Sequence, residues 1–154
     1  MSAYYDEVQK IVARYPDSKS ASLPALRLAQ EKHGFLSDEA LREAADALGE
    51  TPAFCRAVAS FYDMFHLAPV GRHTVEVCTN LSCALAGAKH VVDALSRELG
   101  VAPGETTPDG EITFRTVECL GGCGYATVVA VDERYHQNIT AENAASLLEG
   151  LRAE

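Results

Sequence analysis

The sequence has little positive charge. Lys and Arg number 13 against 22 Asp and Glu in 154 residues, and the formal net charge is -9 at pH 7. Lys and Arg are the side chains that neutralise phosphate backbones and anionic lipid headgroups. A chain of this charge has no electrostatic basis for holding either, and we expect no nucleic acid among its partners.

Long hydrophobic runs are also missing, although 47% of the residues are hydrophobic and suffice for a core. The longest apolar stretch is ATVVAV (126–131), far below the roughly 20 residues that cross a bilayer. The opening residues MSAYYDEVQK lack the basic flank and apolar stretch of a secretory signal. We therefore expect a soluble, cytoplasmic chain with no direct membrane insertion.

Motifs of common catalytic and nucleotide-binding sites are absent as well. The sequence contains no G-x-G-x-x-G fingerprint and no P-loop, and it has no activated serine or cysteine dyad. We therefore expect no catalytic acid, base or nucleophile in this chain.

Cysteine, in contrast, is present in a definite pattern. Cys78 and Cys83 bracket the segment CTNLSC, and Cys119 and Cys123 bracket CLGGC. In a reducing compartment such groups are more plausible as metal ligands or redox groups than as a disulfide framework. The fifth cysteine, Cys55, falls inside a helical pattern among apolar neighbours and is predicted to be a packed thiol.

Residues 1–68 predict a small antiparallel bundle of helices. Apolar residues recur at helical spacing from Tyr4 to Tyr15, just before Pro16. Three further helices are outlined by cap and stop residues. These residues are Ser22, Gly34, Ser37, Gly49 and Thr51.

The segment HLAPVGR (66–72) carries Pro and Gly and marks a boundary. It predicts two domains, residues 1–68 and 69–154. The aromatic-rich residues just before it are predicted to pack between the domains, with a contact to a partner as the alternative. They are Phe61, Tyr62, Met64 and Phe65.

Beyond the boundary, apolar residues recur with the spacing of strands and of amphipathic helices. Strands are predicted at 73–77, 111–117 and 127–131. One helix is predicted over 85–99 and a last one after a cap at Thr140. This order builds a mixed sheet with helices against it, so the fold class is α+β.

Both cysteine pairs lie in loops that follow predicted strands, so the loops are expected to converge at one end of the sheet, where ligands usually bind. In the second loop, Gly121, Gly122 and Gly124 permit positive φ and let amide N–H groups turn toward sulfur. In the first loop, polar side chains are expected to hold the turn. Leu81 and Leu120 are predicted to shield the site from water.

The spacing leaves several kinds of site open. A zinc site with four thiolate ligands is the main competitor. Structural zinc, however, most often uses C-x2-C pairs. The wider C-x4-C and C-x3-C loops suit a cluster that contains two iron atoms. A thiol–disulfide oxidoreductase is disfavoured because there is no C-x-x-C dithiol. The absence of His from both loops disfavours a Rieske centre. The 36 positions from Cys83 to Cys119 disfavour a plant-type ferredoxin.

Three segments carry a family resemblance: VASFYDMFHLAPVGRH (58–73), VEVCTNLSCALAGA (75–88) and GVAPGETTPDGEITFRTVECLGGCGYA (100–126). In order and spacing they resemble the thioredoxin-like 2Fe-2S ferredoxin family. Within it, they are similar to the small, E-type 2Fe-2S subunit of bacterial NADH:quinone oxidoreductase (complex I). The match runs from about residue 20 to the end of the chain.

The resemblance implies a helical domain followed by a thioredoxin-like domain with one 2Fe-2S cluster, whose ligands match Cys78, Cys83, Cys119 and Cys123. It implies an electron-transfer subunit of a hetero-oligomeric NADH dehydrogenase, peripheral to the inner membrane through the complex. The protein would dock on a larger subunit that binds NADH and FMN, and its cluster would take an electron from the flavin. Related subunits serve NAD-linked hydrogenases and formate dehydrogenases, so the complex stays open.

One residue departs from the family pattern. Where the family commonly has Ala-Pro after the fourth cysteine, this chain has Ala126-Thr127. A proline would fix the backbone beside the cluster. Thr127 therefore leaves the local geometry and the reduction potential open.

Overall fold

The computed structural model describes residues 3–149 and 151. The chain divides into two compact units, residues 1–69 and 70–154. Each unit has a hydrophobic core made of its own residues. No helix within the described ranges is long and apolar enough to cross a membrane.

The first unit is helical, as predicted. Its helices are α1 (Ala3–Val12), α2 (Ser22–His33), α3 (Asp38–Leu48) and α4 (Pro52–Phe61). Their buried faces are rich in Ala and Leu, and small Ala side chains let helices approach closely. Phe65 joins this core.

The predicted packing of Cys55 is confirmed. Its side chain is fully buried in the core of the helical unit. Burial, helped by the negative charge of Glu50, raises the pKa of the Cys55 thiol to about 11. Cys55 is therefore a protonated core thiol at neutral pH.

Two predicted helix starts are confirmed by their cap hydrogen bonds. The Ser37 hydroxyl accepts the amide of Ala40 at 3.1 Å, and the Thr51 hydroxyl accepts the amide of Phe54 at 3.2 Å. At the end of α3, Gly49 takes the left-handed conformation with φ 69°. Each residue type thus plays the role that its position predicts.

The predicted cap at Ser22 is wrong. A short 3-10 turn, Ser18–Ala21, precedes α2, and Ser22 is the first residue of α2. The turn is capped by Asp17, whose carboxylate accepts the amide of Ser20 at 3.0 Å. Because Asp17 is a capping residue placed upstream, the helical path begins before Ser22.

The second unit contains one mixed sheet. Its strands are β1 (His73–Cys78), β2 (Glu105–Thr106), β3 (Ile112–Val117), β4 (Val129–Val131) and β5 (Arg134–His136). The spatial order is β2-β3-β1-β4-β5. Strands β1 and β3 are parallel, and the other neighbours are antiparallel. The predicted α+β class with a mixed sheet is confirmed.

The edge strands β2 and β5 were not predicted. β2 has only two residues and lies inside a Gly- and Pro-rich loop. Two residues are too few to show the alternation of polar and apolar side chains that predicts a strand. β5 follows a tight turn in which Asp132 and Glu133 have φ 49° and 65°. Such turns usually carry Asn-Gly or Asp-Gly, so Asp-Glu gave no hairpin signal.

The helices of this unit are α5 (Leu81–Leu85), α6 (Ala88–Leu99) and α7 (Ser146–Glu149). The predicted amphipathic helix over 85–99 is present as α6, but its predicted start is wrong, because Gly87 with φ 99° separates α6 from α5. The predicted start after Thr140 is also wrong. The amide of Thr140 donates to the Asn143 side chain at 2.8 Å, and the helix begins only at Ser146.

The core of the second unit lies between the sheet and α6. Phe114 of β3 and Val75 of β1 are fully buried and meet Leu95 of α6. Residues at alternate positions of β1 share this buried face, as the period of a strand requires.

Because each unit has its own core, we predict that the two are independent domains. Residues 69–154 produced alone should keep their helix and strand content and unfold in one cooperative transition. Circular dichroism during thermal unfolding measures both properties. A fragment that melts without a cooperative transition would contradict the predicted boundary.

Candidate metal centre

The two cysteine loops leave the same end of the sheet. Cys78 at the end of β1 pairs in register with Val117 at the end of β3, and the two strands are parallel. The amide of Thr79 donates to the carbonyl of Val117 at 3.0 Å, which ties the loops together just past the strands. The predicted convergence of the loops is confirmed.

A third segment closes the site from the other side of β1. The amide of Cys78 donates to the carbonyl of Val128 at 3.1 Å, just before β4. Cys78, Cys83, Ala88 and Val128 are buried together in a small apolar cluster. Leu120 and Ala126 pack against its edge.

The four cysteines differ in exposure. Cys78 and Cys83 are buried, whereas Cys119 and Cys123 are exposed. The site therefore has an inner side against the protein and an outer side that faces solvent. A group held between the thiols would be reached from the outer side.

The side chains of the two pairs interact with each other. The thiols of Cys83 and Cys119 help to lower the pKa of the Cys78 thiol. Cys123 acts electrostatically on Cys83 and helps to raise the pKa of its thiol. The structure thus brings together all four predicted site residues, through contacts both within and between the loops.

Backbone amides surround the sulfur atoms. The amides of Asn80 and Leu120 donate to the sulfur of Cys78, and the amide of Val128 donates to that of Cys83. The amide of Gly121 reaches the sulfur of Cys119 at 3.3 Å. These donors carry no net charge and do not titrate, so they stabilise negative sulfur at any pH.

The two buried thiols have pKa values shifted in opposite directions. Burial raises the pKa of the Cys78 thiol, but the amides of Asn80 and Leu120 and the thiols of Cys83 and Cys119 outweigh burial and lower it. Burial raises the pKa of the Cys83 thiol, and Cys78 and Cys123 raise it further by their charges. The Val128 amide lowers this pKa but is outweighed. Cys78 is thus the first of the two to form a thiolate.

The glycines of the second loop do not all act as predicted. Gly121 has φ 75° and directs its amide to sulfur, as predicted. Gly122 and Gly124 do not have positive φ, so the prediction is wrong for both. Gly122 has φ -97° and is needed for space instead. A Cβ on Gly122 would lie 2.8 Å from Cγ2 of Val128, closer than side chains tolerate.

The first loop is held by its polar side chains, as predicted. The Thr79 hydroxyl donates to the carbonyl of Val117 at 3.2 Å. The Asn80 side chain accepts the amide of Leu81 at 2.9 Å. The predicted shielding by Leu81 is wrong, because Leu81 begins α5 and is 71% exposed. Leu120 is half-buried against the cysteine cluster.

Sequence reasoning missed the part of the site that the segment before β4 supplies. Val128 provides both a carbonyl and an amide, but backbone groups leave no mark in a sequence pattern. Thr127, noted only as a departure from the family, has a fully buried side chain. The peptide bond between Ala126 and Thr127 is cis.

The donor set fits a 2Fe-2S cluster. Four thiols are present with amide donors directed at three of them, and a cluster of this kind uses Cys ligands and is tuned by hydrogen bonds to sulfur. In residues 3–149 and 151, no group of three or more His, Cys, Asp or Glu is arranged to hold a single metal ion.

Comparison with protein families gives a match over most of the chain. The model of the family described as thioredoxin-like [2Fe-2S] ferredoxin matches residues 8–152.

Several curated relatives are similar over nearly the full chain. The chain is 44% identical over 148 residues to the E-type subunit 2 of NADH-quinone oxidoreductase from Rhizobium meliloti, covering 96% of this chain and 88% of that protein. It is 41% identical over 151 residues to NADH-quinone oxidoreductase subunit 2 of Thermus thermophilus, covering 96% and 83%. It is 43% identical to the E-type subunit of the Mycobacterium bovis enzyme but spans only 59% of that longer protein.

Among solved structures, the chain resembles an NAD+-reducing [NiFe]-hydrogenase in the air-oxidised state. The TM-score is 0.72 at 23% sequence identity, covering 83% of this chain and 22% of that one. At this identity the likeness shows a shared fold.

We predict that Gly122→Ala disturbs the site, because the added Cβ would push Val128, whose amide donates to Cys83. Val is branched at Cβ and stiff at χ1, so it has little room to move away. Overpacking of this kind costs about 1–3 kcal/mol. Thermal unfolding and iron content per chain measure the effect.

Gly124→Ala is the matched control. A Cβ on Gly124 meets no atom of the described residues within 4 Å. This variant should keep the unfolding temperature and iron content of the parent. Equal behaviour of the two alanine variants would show that Gly122 is not needed for space.

Proposed function

Given that the chain belongs to the thioredoxin-like [2Fe-2S] ferredoxin family, we propose that it is an electron-transfer protein with one 2Fe-2S cluster. Its ligands are Cys78, Cys83, Cys119 and Cys123. The observation that carries the proposal is the meeting of these thiols at one end of a sheet, with backbone N–H groups directed at their sulfur atoms.

The relatives support a place in a larger enzyme. Those that share 41–44% identity are subunits of NADH-quinone oxidoreductase. We propose that this chain is the equivalent component of a hetero-oligomeric NADH dehydrogenase and exchanges electrons with FMN on a subunit that also binds NADH. The alternative is a component of an NAD-linked hydrogenase, and it is supported only by a shared fold at 23% identity. The identities of 41–44% to subunits of NADH-quinone oxidoreductase favour the quinone-linked complex.

The chain's own residues set the conditions for electron transfer. When bound, the cluster would supply a one-electron redox centre. The amides of Asn80, Leu120, Gly121 and Val128 would stabilise the negative charge on its thiolate ligands. The apolar cluster around Cys78 and Cys83 would exclude water from the inner side. These groups act by position, so no proton-transfer residue is required.

The outer side of the site is suited to contact with the electron-transfer partner. Leu85 is 81% exposed on α5, and Tyr125 is 55% exposed beside Cys123. Helix α5 packs against the turn that contains Cys123 and Tyr125. Exposed large apolar side chains next to exposed ligands mark a surface where a partner would approach the cluster. We assign this surface to the flavin-bearing subunit.

The proposed location follows from the complex. The described residues contain no helix able to cross a membrane. The chain would lie on the cytoplasmic side and be held at the inner membrane through its partner subunits.

The proposal is tested by reduction of the cluster through the partner. With the flavin-bearing subunit and NADH present, the chain should develop the paramagnetic signal of a reduced 2Fe-2S cluster. Leu85→Glu should slow this reduction about tenfold, which corresponds to about 1.4 kcal/mol in the activation barrier. A charge in an apolar contact weakens docking, so the iron content should not change. Stopped-flow absorption measures the rate.

Tyr135→Glu is the control for this experiment. Tyr135 is 56% exposed on the edge strand β5, next to the turn at Asp132 and Glu133. This variant should be reduced at the parental rate. If Leu85→Glu were reduced as fast as Tyr135→Glu, the proposed docking surface would be wrong. A cluster that NADH and the flavin-bearing subunit never reduce would refute the proposed function.

A further inference from the structure

A buried hydroxyl group belongs to the segment that leads into β4, where its two chain neighbours contact the cysteine cluster. The side chain of Thr127 is 1% exposed, and its Oγ1 has no hydrogen-bond partner among the residues that the structure describes. A hydroxyl removed from water without a partner costs about 1–3 kcal/mol. Buried polar groups of this kind therefore indicate an acceptor or donor outside the polypeptide.

The neighbours of Thr127 in the chain both belong to the cysteine pocket. Ala126 and Val128 pack into the apolar cluster that contains Cys78 and Cys83. The carbonyl of Thr127 is already engaged, because it accepts the amide of Ile139 at 3.0 Å. The hydroxyl is thus the group of Thr127 left to interact with a ligand.

Sulfur is the acceptor that this pocket offers. Apart from its cysteines, the cluster around Cys78 and Cys83 consists of Ala, Val and Leu side chains. The amide next along the chain, that of Val128, already donates to the sulfur of Cys83. A threonine hydroxyl rotates freely to suit an acceptor, so it can align with a sulfur atom placed between the loops.

We propose that the Thr127 hydroxyl donates a hydrogen bond to a sulfur atom of the 2Fe-2S cluster and thereby raises its reduction potential. This inference rests on the proposed cluster. Reduction adds negative charge to the sulfur atoms, so a donor stabilises the reduced state more than the oxidised state.

Two variants separate the hydroxyl from the shape of the side chain. Thr127→Val keeps the branched shape and removes the donor, whereas Thr127→Ser keeps the donor and removes a methyl group. The reduction potential is measured by titration monitored by electron paramagnetic resonance. Thr127→Val should shift to a more negative potential, and Thr127→Ser should remain closer to the parent.

Deuteron electron–nuclear double resonance of the reduced protein in D2O gives a second readout. The parent should show the coupling of one exchangeable deuteron that Thr127→Val lacks and Thr127→Ser retains. Couplings from the amides of Asn80, Leu120, Gly121 and Val128 should persist in both variants, since backbone donors are unchanged. They are the internal control.

The inference would be overturned if Thr127→Val kept both the parental potential and all parental deuteron couplings. It would also fail if Thr127→Ser shifted as far as Thr127→Val, because shape would then be the cause. If Thr127→Val held no cluster, Thr127→Ala, which also lacks the donor, would be measured in its place against Thr127→Ser. These variants test only the hydrogen bond from Thr127. The proposed function is tested separately by the 2Fe-2S signal of the parent, whose absence would refute it.

Discussion

Parallel pairing of β1 with β3 is the constraint on which the site depends. Cys78 lies opposite Val117, so the two cysteine loops start side by side at one end of the sheet. Antiparallel pairing of β1 with β4 then brings Val128 against Cys78 from the other side. Three chain segments far apart in sequence therefore enclose one pocket.

The pocket stabilises negatively charged sulfur with the dipoles of backbone amides and not with positively charged side chains, of which this acidic chain has few. The net charge is -9, yet the groups directed at the cysteine sulfurs are backbone amides. Amides keep their charge distribution at every pH and are fixed by the fold. A redox centre held in this way changes charge without moving a proton on its neighbours. The opposite pKa shifts of Cys78 and Cys83 show that hydrogen-bond donors outweigh burial at one thiol only.

Local sequence signals predicted the parts of the fold that local interactions determine. Ser37 and Thr51 cap their helices because a hydroxyl before an apolar run bonds to nearby amides. The cysteine loops were predicted because each follows a strand with a clear period. Strand β5 was missed because Asp132 and Glu133 take positive φ without the glycine that usually marks such a turn. The break at Gly87 was missed because a single glycine inside a helical pattern is often tolerated. The Val128 amide and the buried Thr127 hydroxyl depend on sheet pairing, which a single sequence does not show.

The central claim is that cysteines of both loops together hold one two-iron cluster. Iron and acid-labile sulfide per chain, measured in the purified parent, Cys119→Ser and Cys55→Ala, test it most directly. The account predicts about two irons and two sulfides in the parent and in Cys55→Ala, and a large loss of both in Cys119→Ser. Zinc without iron in the parent, or full iron content in Cys119→Ser, would contradict it.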